Sequence, residues 1–161
     1  MKATIAILPG DGIGAEVTCE AVRTLKAVAQ KFGHEFDLPE GLIGGAALDA
    51  EGKPFPDSTA AICADSAAVL LGAVGGPKWD NVPTESRPER GLLSLRAALN
   101  VFANLRPVAA HPVLTGASPL RPEYLKGVDM MVVRELTGGI YFGEKARSKD
   151  SATDVCTYTR S

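Results

Sequence analysis

Strand-like and helix-like segments alternate through the first part of this chain, and that alternation constrains the fold more than any other feature. An apolar run, Thr4–Leu8, is followed by a glycine-rich break and then by apolar residues at helical spacing over Ala15–Phe32. Ala68–Val74 is apolar throughout, as expected of a strand buried on both faces of a parallel sheet. Gly91–Asn100 places Leu92, Leu95 and Leu99 on one side of a helix. The alternation predicts an α/β fold with mostly parallel strand pairing.

The pattern changes near Asn100. Two further strand-like runs, Val101–Ala110 and Val128–Glu135, are joined by a proline-rich connection instead of a long helix. We therefore predict a domain transition at this point, with the first part of one domain over residues 1–99 and the start of a second over residues 100–161.

Composition argues against several functional classes. The chain has 161 residues, of which 45% are hydrophobic and 22% charged, with a formal net charge of −2; this is typical of a soluble globular protein and gives no positive excess for nucleic acid or an anionic membrane. No apolar run approaches the length of a membrane span and no signal-peptide layout is present, so the cytoplasm is expected. Three widely spaced cysteines argue against a disulfide framework or a zinc site, and Cys19 and Cys63 are expected in the core.

The glycine-rich break, Gly10–Ala15, fits the GxGxxA outline of a dinucleotide-binding loop, and Asp37 follows at about the twenty-residue spacing of such motifs. Glycines at these positions allow backbone N–H groups to meet a pyrophosphate. Two residues oppose this interpretation, because Pro9 precedes the loop and Asp11 puts a negative charge inside it. On spacing alone, a tight turn and a nucleotide site carry equal weight.

Three arginines and one tyrosine are candidate site residues. Arg134 ends an apolar strand, where a guanidinium has little solvent and needs an anion nearby. Together with Arg96 and Arg106 it could hold a substrate with two carboxylates, although solvated surface charges are the alternative. Leu92 lies four residues before Arg96, on the same helix face, where it would contact an alkyl branch or pack inward. Tyr141 stands between glycines, and its phenol could transfer a proton or simply belong to a half-buried strand.

Several segments of the chain, in the same order, resemble the 3-isopropylmalate dehydrogenases of the isocitrate and isopropylmalate dehydrogenase family: Leu8–Gly14, Leu70–Trp79, Gly91–Arg96, Phe102–Pro107 and Val133–Gly143. The glycine loop alone is shared with isocitrate, homoisocitrate and tartrate dehydrogenases, whereas the Leu-Leu-Ser-Leu-Arg segment makes the resemblance specific. It implies the N-terminal half of a two-domain α/β fold, only partly present in this chain. The implied reaction is NAD-dependent oxidative decarboxylation of 3-isopropylmalate to 2-oxo-4-methylpentanoate in leucine biosynthesis.

The resemblance also implies a role for each candidate residue. Arg96, Arg106 and Arg134 match residues that hold the malate carboxylates, Tyr141 matches one that assists protonation after decarboxylation, and Leu92 matches one that faces the isopropyl group. By the same resemblance, Gly10–Gly14 is not the pyrophosphate cradle and Asp37 loses its ribose role. The residues implied to border NAD are Ile13, Gly76, Pro77, Lys78, Trp79, Asp80 and Glu89.

The implied partners are NAD, Mg²⁺ or Mn²⁺, a small dicarboxylate substrate and a second copy of the subunit in a homodimer. No metal ligand is expected in this chain, because the family's ligands are expected beyond Ser161, and the chain alone is expected to be inactive. Two alternatives stay open. One is a relative that acts on tartrate or homoisocitrate, and the other is a non-catalytic fragment that binds anions or a partner subunit.

Overall fold

The computed structural model describes residues 1–136, 138–139 and 142–158. The chain divides into two compact units, Met1–Leu99 and Asn100–Ser161. None of the described helices is both long and apolar enough to cross a membrane.

The first unit is a parallel sheet with helices. The strands have the order β2-β1-β3, and both neighbours pair with β1 in parallel, which confirms the predicted α/β class. Short 3-10 turns lie at Pro77–Trp79 and Thr84–Ser86. In chain order the elements are β1 (Lys2–Gly10), α1 (Ile13–Phe32), β2 (Glu35–Asp37), α2 (Gly45–Glu51), α3 (Asp57–Ala64), β3 (Ala68–Ala73) and α4 (Pro88–Ala98).

The core of this unit is built on the central strand β1. Ala6 and Leu8 of β1 are fully buried, and the cluster around them includes Ile43, Cys63 of α3 and Leu95 of α4. The prediction that Ala68–Val74 is buried on both faces is wrong, since among the described residues β3 has one strand neighbour and none of its residues is fully buried. An apolar composition shows that a strand can be buried, but the strand order decides which strand lies inside.

Helix α1 approaches the sheet through small residues. Gly14 and Thr18 are its buried residues, and a Cβ on Gly14 would overlap the carbonyl oxygen of Pro9. Glycine is required there because the helix backbone lies directly against the end of β1. Cys63 is buried as expected, whereas Cys19 is exposed because it follows Thr18 on the helix and faces away from the sheet.

The helices α2 and α3 lie between β2 and β3 along the chain. Asp57 is the first residue inside α3, and the N-cap position is occupied by Pro56, so Asp57 does not cap the helix from outside. Its carboxylate instead lies 3.2 Å from Lys53 Nζ. The helix α2 begins at Gly45, with Gly44 at its N-cap position.

The described residues of the second unit form two antiparallel ribbons. β4 (Ala103–Ala109) and β5 (Asp129–Glu135) lie where the two strand-like runs were predicted, and they pair with each other; β6 (Lys145–Arg147) pairs with β7 (Ala152–Asp154). A 3-10 segment, Pro112–Ala117, and the short helix α5 (Pro122–Leu125) connect β4 to β5. The β6–β7 hairpin is polar and had no strand pattern in the sequence. The strand to which Tyr141 could belong lies partly outside the described residues.

Candidate functional site

The carboxyl ends of β1 and β3 mark the place in the first unit where a ligand site is expected. The chain moves from β1 to β2 on one side and to β3 on the other, and open α/β sheets bind ligands at such a change of direction. The loops that follow the two strands meet at this edge, where the Asp11 N–H donates to the carbonyl oxygen of Ala73 at 2.7 Å.

A buried carboxylate fills the space between these loops. Asp11 is 4% exposed, and its two oxygens accept hydrogen bonds from the backbone N–H groups of Gly45 at 2.8 Å, Ala46 at 2.7 Å and Gly75 at 2.7 Å. Backbone donors that would attract a phosphate are therefore already bound to a charged acceptor of the protein. These N–H groups belong to the start of α2 and to the loop after β3, so the carboxylate of the glycine loop joins two other segments of the unit.

The segment predicted to border NAD folds into a 3-10 turn that contacts α2. Lys78 Nζ forms a short ion pair with Asp49 Oδ2, at 2.5 Å, and Trp79 Nε1 donates to Asp49 Oδ1 at 3.2 Å. The Lys78 ammonium also lies 5.2 Å from the centre of the Trp79 ring. The hydrogen bond from Lys78, followed by that from Trp79, lowers the pKa of the Asp49 carboxyl below its ordinary value.

A small recess of about 40 Å³ lies between this turn and the first turn of α4, and its lining includes Gly76, Trp79, Asp80 and Glu89. Glu89 is exposed, and a Cβ on Gly75 would lie 2.6 Å from its Oε1, so the carboxylate stands beside the loop backbone. Four of the residues predicted to border the cofactor thus share one recess. Pro77 and Lys78 complete the same turn, and Ile13 is an exposed residue at the start of α1.

Two of the three predicted arginines lie on one face of the β4–β5 ribbon. In the strand register Asn104 is opposite Arg134, and Arg106 is opposite Val132. Since alternate residues of a strand share a face, Asn104, Arg106 and Arg134 point to the same side, and such diagonal neighbours are about 7–8 Å apart. Arg106 Nε donates to Asn104 Oδ1 at 2.7 Å, which leaves the Nη pair as end-on donors for a carboxylate.

The remaining candidates have other placements. Arg96 and Leu92 are half-buried residues one turn apart in α4 of the first unit. Tyr141 lies outside the described residues. The described part of the chain contains no group of three or more His, Cys, Asp or Glu side chains that could hold a metal ion.

Sequence reasoning missed two side chains that contact the candidate residues. Asn104 could have been found, because it precedes Arg106 by two positions in a predicted strand and so must share its face. Asp49 carried no local signal, since Lys78 and Trp79 are distant in the chain and only the folded unit brings them together.

Comparison with known proteins decides the family. The model of the isocitrate/isopropylmalate dehydrogenase family matches residues 4–161. The chain belongs to this family. The resemblance drawn from the sequence motifs is therefore confirmed.

Individual relatives in the family agree with this assignment. A 3-isopropylmalate dehydrogenase of Bacillus licheniformis is 54% identical over 167 aligned positions, which cover 100% of this chain and 45% of that protein. One from Anaeromyxobacter dehalogenans is 60% identical over 89% of this chain and 41% of its own length. The chain thus spans less than half the length of these relatives.

Solved structures of family members have the same fold over the length of this chain. The apo form of a β-decarboxylating dehydrogenase from Thermococcus kodakarensis is 33% identical, with a TM-score of 0.64, over 97% of this chain and 40% of that one. An isocitrate dehydrogenase from Methylococcus capsulatus is 26% identical, with a TM-score of 0.73, over 97% of this chain and 42% of that one. The family's two-domain fold is therefore only partly present here, as predicted.

Proposed function

We propose that this chain is the N-terminal part of an NAD-dependent 3-isopropylmalate dehydrogenase. The proposed reaction converts 3-isopropylmalate to 2-oxo-4-methylpentanoate, with loss of carbon dioxide, in leucine biosynthesis. The observation that carries the proposal is the pair Arg106 and Arg134 on one face of the β4–β5 ribbon. Two guanidinium groups at this spacing suit a small acid with two carboxylates, because each can hold a carboxylate through paired N–H donors.

Substrate selection rests on the helix α4. We assign Arg96 to the same dicarboxylate and Leu92, one turn before it, to the isopropyl group. A methylene-sized difference in an apolar contact changes discrimination by about 1–3 kcal/mol, so Leu92 favours a branched malate over tartrate. We propose that arginines held on a helix and on two strands neutralise the acid's negative charges, which costs little reorganisation during the reaction.

NAD, when bound, supplies the hydride acceptor. The residues that we propose to border it are Ile13, Glu89 and the turn Gly76–Asp80. They fit one edge of such a ligand, since Gly75 and Gly76 have no side chains to obstruct a close approach and the exposed Glu89 carboxylate can accept hydrogen bonds from amide or hydroxyl groups.

Mg²⁺ or Mn²⁺ belongs to the proposal only for the whole enzyme, because the described residues offer no group of metal ligands. Those ligands are proposed to come from outside this chain, and no step of the reaction is derived through the metal. By family resemblance we assign Tyr141 to the proton path that reaches the substrate carbon from which carbon dioxide leaves.

The two units are proposed to be parts of different domains. Residues 1–99 would form the first part of a discontinuous NAD-side domain, and residues 100–161 would begin the dimerisation and substrate domain. The partner is a second copy of the same subunit, and the proposed location is the cytoplasm.

The proposal is tested by NADH formation from the complete polypeptide that contains this chain, with 3-isopropylmalate, tartrate and homoisocitrate as substrates. We expect turnover with 3-isopropylmalate, and none from residues 1–161 alone. Preferred turnover of another acid would reassign the substrate. Absence of NADH with every acid, combined with retained anion binding, would favour the non-catalytic alternative.

The proton role has its own test in the same protein. Tyr141→Phe is expected to slow turnover with little change in substrate binding, because it removes the phenolic hydroxyl and keeps the ring. Loss of binding with an unchanged chemical step would contradict the role.

A further inference from the structure

We infer that the helix α2 holds the 3-10 turn Pro77–Trp79, which we propose to border NAD, in the conformation that binds the cofactor. Asp11 and Asp49 are the positioning residues that attach this turn to α2. The inference rests on the proposed function and extends it to two side chains outside the predicted cofactor set. We use the name α2 clamp for Asp11 together with the helix α2 (Gly45–Glu51), which includes Asp49. These residues bind the segment 75–79 at both of its ends.

The first attachment is made by Asp11. Its carboxylate Oδ2 accepts from both Gly45 N at 2.8 Å and Gly75 N at 2.7 Å, so one oxygen joins the start of α2 to the start of the turn. The other oxygen accepts from Ala46 N at 2.7 Å. Because the group is 4% exposed, no solvent competes for these bonds, and the position of Gly75 depends on them.

The second attachment is made by Asp49, one helical turn further along α2. It binds Lys78 through one carboxylate oxygen and Trp79 through the other. The Trp79 ring also covers Gly45, where an added Cβ would overlap the ring atoms. The indole therefore rests on the backbone of α2 and is fixed in its plane by a hydrogen bond at its edge.

The two attachments determine the recess in which the cofactor residues lie. Between them stands a short 3-10 turn that is closed by a hydrogen bond from Trp79 N to Gly76 O, at 3.1 Å. Gly76, Trp79 and Asp80 line the recess together with Glu89. If Asp49 released Trp79, the wall formed by this side chain would move relative to Glu89 while the sheet stayed intact.

Asp49 can be tested separately from the stability of the fold. Its side chain is 44% exposed and that of Lys78 is 67% exposed, and exposed ion pairs contribute little to folding. A matched control exists in the same unit, because Asp57 of α3 forms an exposed ion pair with Lys53 at 3.2 Å, on a helix other than α2. The variants are Asp49→Asn, with Asp57→Asn as its control, and Asp11→Asn as the buried counterpart.

The first readout is the fluorescence of Trp79, the single tryptophan of this chain. In residues 1–161, Asp49→Asn is expected to increase quenching of Trp79 by acrylamide, whereas Asp57→Asn leaves it at the parent value. Equal quenching in Asp49→Asn and the parent would overturn the second attachment. For Asp11→Asn we expect a smaller increase, since Asp11 contacts the backbone of Gly75 and not the Trp79 indole itself.

The second readout is steady-state kinetics of the complete polypeptide. If the turn is in its competent shape for about one fifth of the time in Asp49→Asn, the apparent dissociation constant for NAD rises about fivefold. The KM for NAD should rise to a similar degree, while the KM for 3-isopropylmalate and kcat stay near their parent values. Asp57→Asn should change none of these constants.

The outcomes separate this inference from the proposed function. A parent enzyme that turns over, combined with an unchanged KM for NAD in Asp49→Asn, overturns the α2 clamp alone. An equal rise in both KM values also overturns it, because the effect would then be a general loss of structure. A parent polypeptide that neither binds NAD nor forms NADH overturns the proposed function, and the cofactor role of the clamp with it.

Discussion

Two buried threonines of the first unit provide a direct test of how hydrogen bonding stabilises it. Thr59 is 1% exposed and Thr18 is 3% exposed. Thr59 Oγ1 donates to Leu42 O at 2.7 Å, whereas Thr18 Oγ1 has no hydrogen-bond partner among the described residues. Valine has nearly the same shape as threonine, so Thr→Val removes the hydroxyl and leaves the packing almost unchanged at either site.

The expected effects have opposite signs. An unpaired buried hydroxyl costs about 1–3 kcal/mol in protein mutational data. The Thr18 hydroxyl lies close to Gly72, and the larger methyl group of valine offsets part of the gain there. Thr18→Val should therefore raise the free energy of unfolding by about 1 kcal/mol. Thr59→Val loses a hydrogen bond and leaves the Leu42 carbonyl oxygen without its donor, so it should lower that free energy by about 2 kcal/mol.

The assay is urea unfolding followed by the fluorescence of Trp79, which reports on the unit that contains both threonines. With an m-value of about 2 kcal/mol per M, the midpoint should rise by about 0.5 M for Thr18→Val and fall by about 1 M for Thr59→Val. Equal destabilisation by the two substitutions would refute the reasoning, because it would show that the Thr18 hydroxyl is paired in solution.

Three further predictions concern charge and reactivity. Arg106→Ala in the complete polypeptide should lower kcat/KM by roughly 30- to 150-fold, since a lost charge-assisted carboxylate contact costs about 2–3 kcal/mol; unchanged kinetics would remove Arg106 from the site. The hydrogen bond from Lys78 lowers the pKa of Asp49 below its ordinary value of 3.8. The contact between Asp49 and Trp79 should therefore be intact above pH 3.8 and be lost as the pH falls through the lowered pKa. Acrylamide quenching of Trp79 that does not change on acidification would contradict this. Burial raises the pKa of Cys63, so a thiol reagent should modify exposed Cys19 quickly and Cys63 only as the unit unfolds; equal rates would disprove the protection.

Local pattern was sufficient for much of the secondary structure. The helix α1 and the strands β1, β4 and β5 are segments in which apolar periodicity and glycine or proline boundaries agree, and each was predicted within a few residues of its observed limits. The family was also accessible from sequence, because its motifs occur in order along the chain and the family model matches residues 4–161. The helix α2 and the hairpin β6–β7 escaped prediction because both are short and lack an apolar period.

The candidate site was only partly accessible in the same way. That Arg106 and Arg134 share a face depends on the register between β4 and β5, and a shift of one residue would have put them on opposite sides. Asn104 follows from the same register. The contacts of Asp49 with Lys78 and Trp79 join residues on separate loops, and no spacing rule connects them.

The amino-acid sequence by itself determined most of the longer strands and helices and the family to which the chain belongs, because these depend on neighbours along the chain and on motif order. Tertiary structure alone decided that β1, rather than the more uniformly apolar β3, is the central strand. It also decided that the charge of Asp11 binds three backbone N–H groups instead of excluding a ligand by repulsion. The physical reason is that the burial of a residue and its hydrogen-bond partners depend on the order of the strands and on which loops contact each other. Both are set by packing between segments that are distant in the chain.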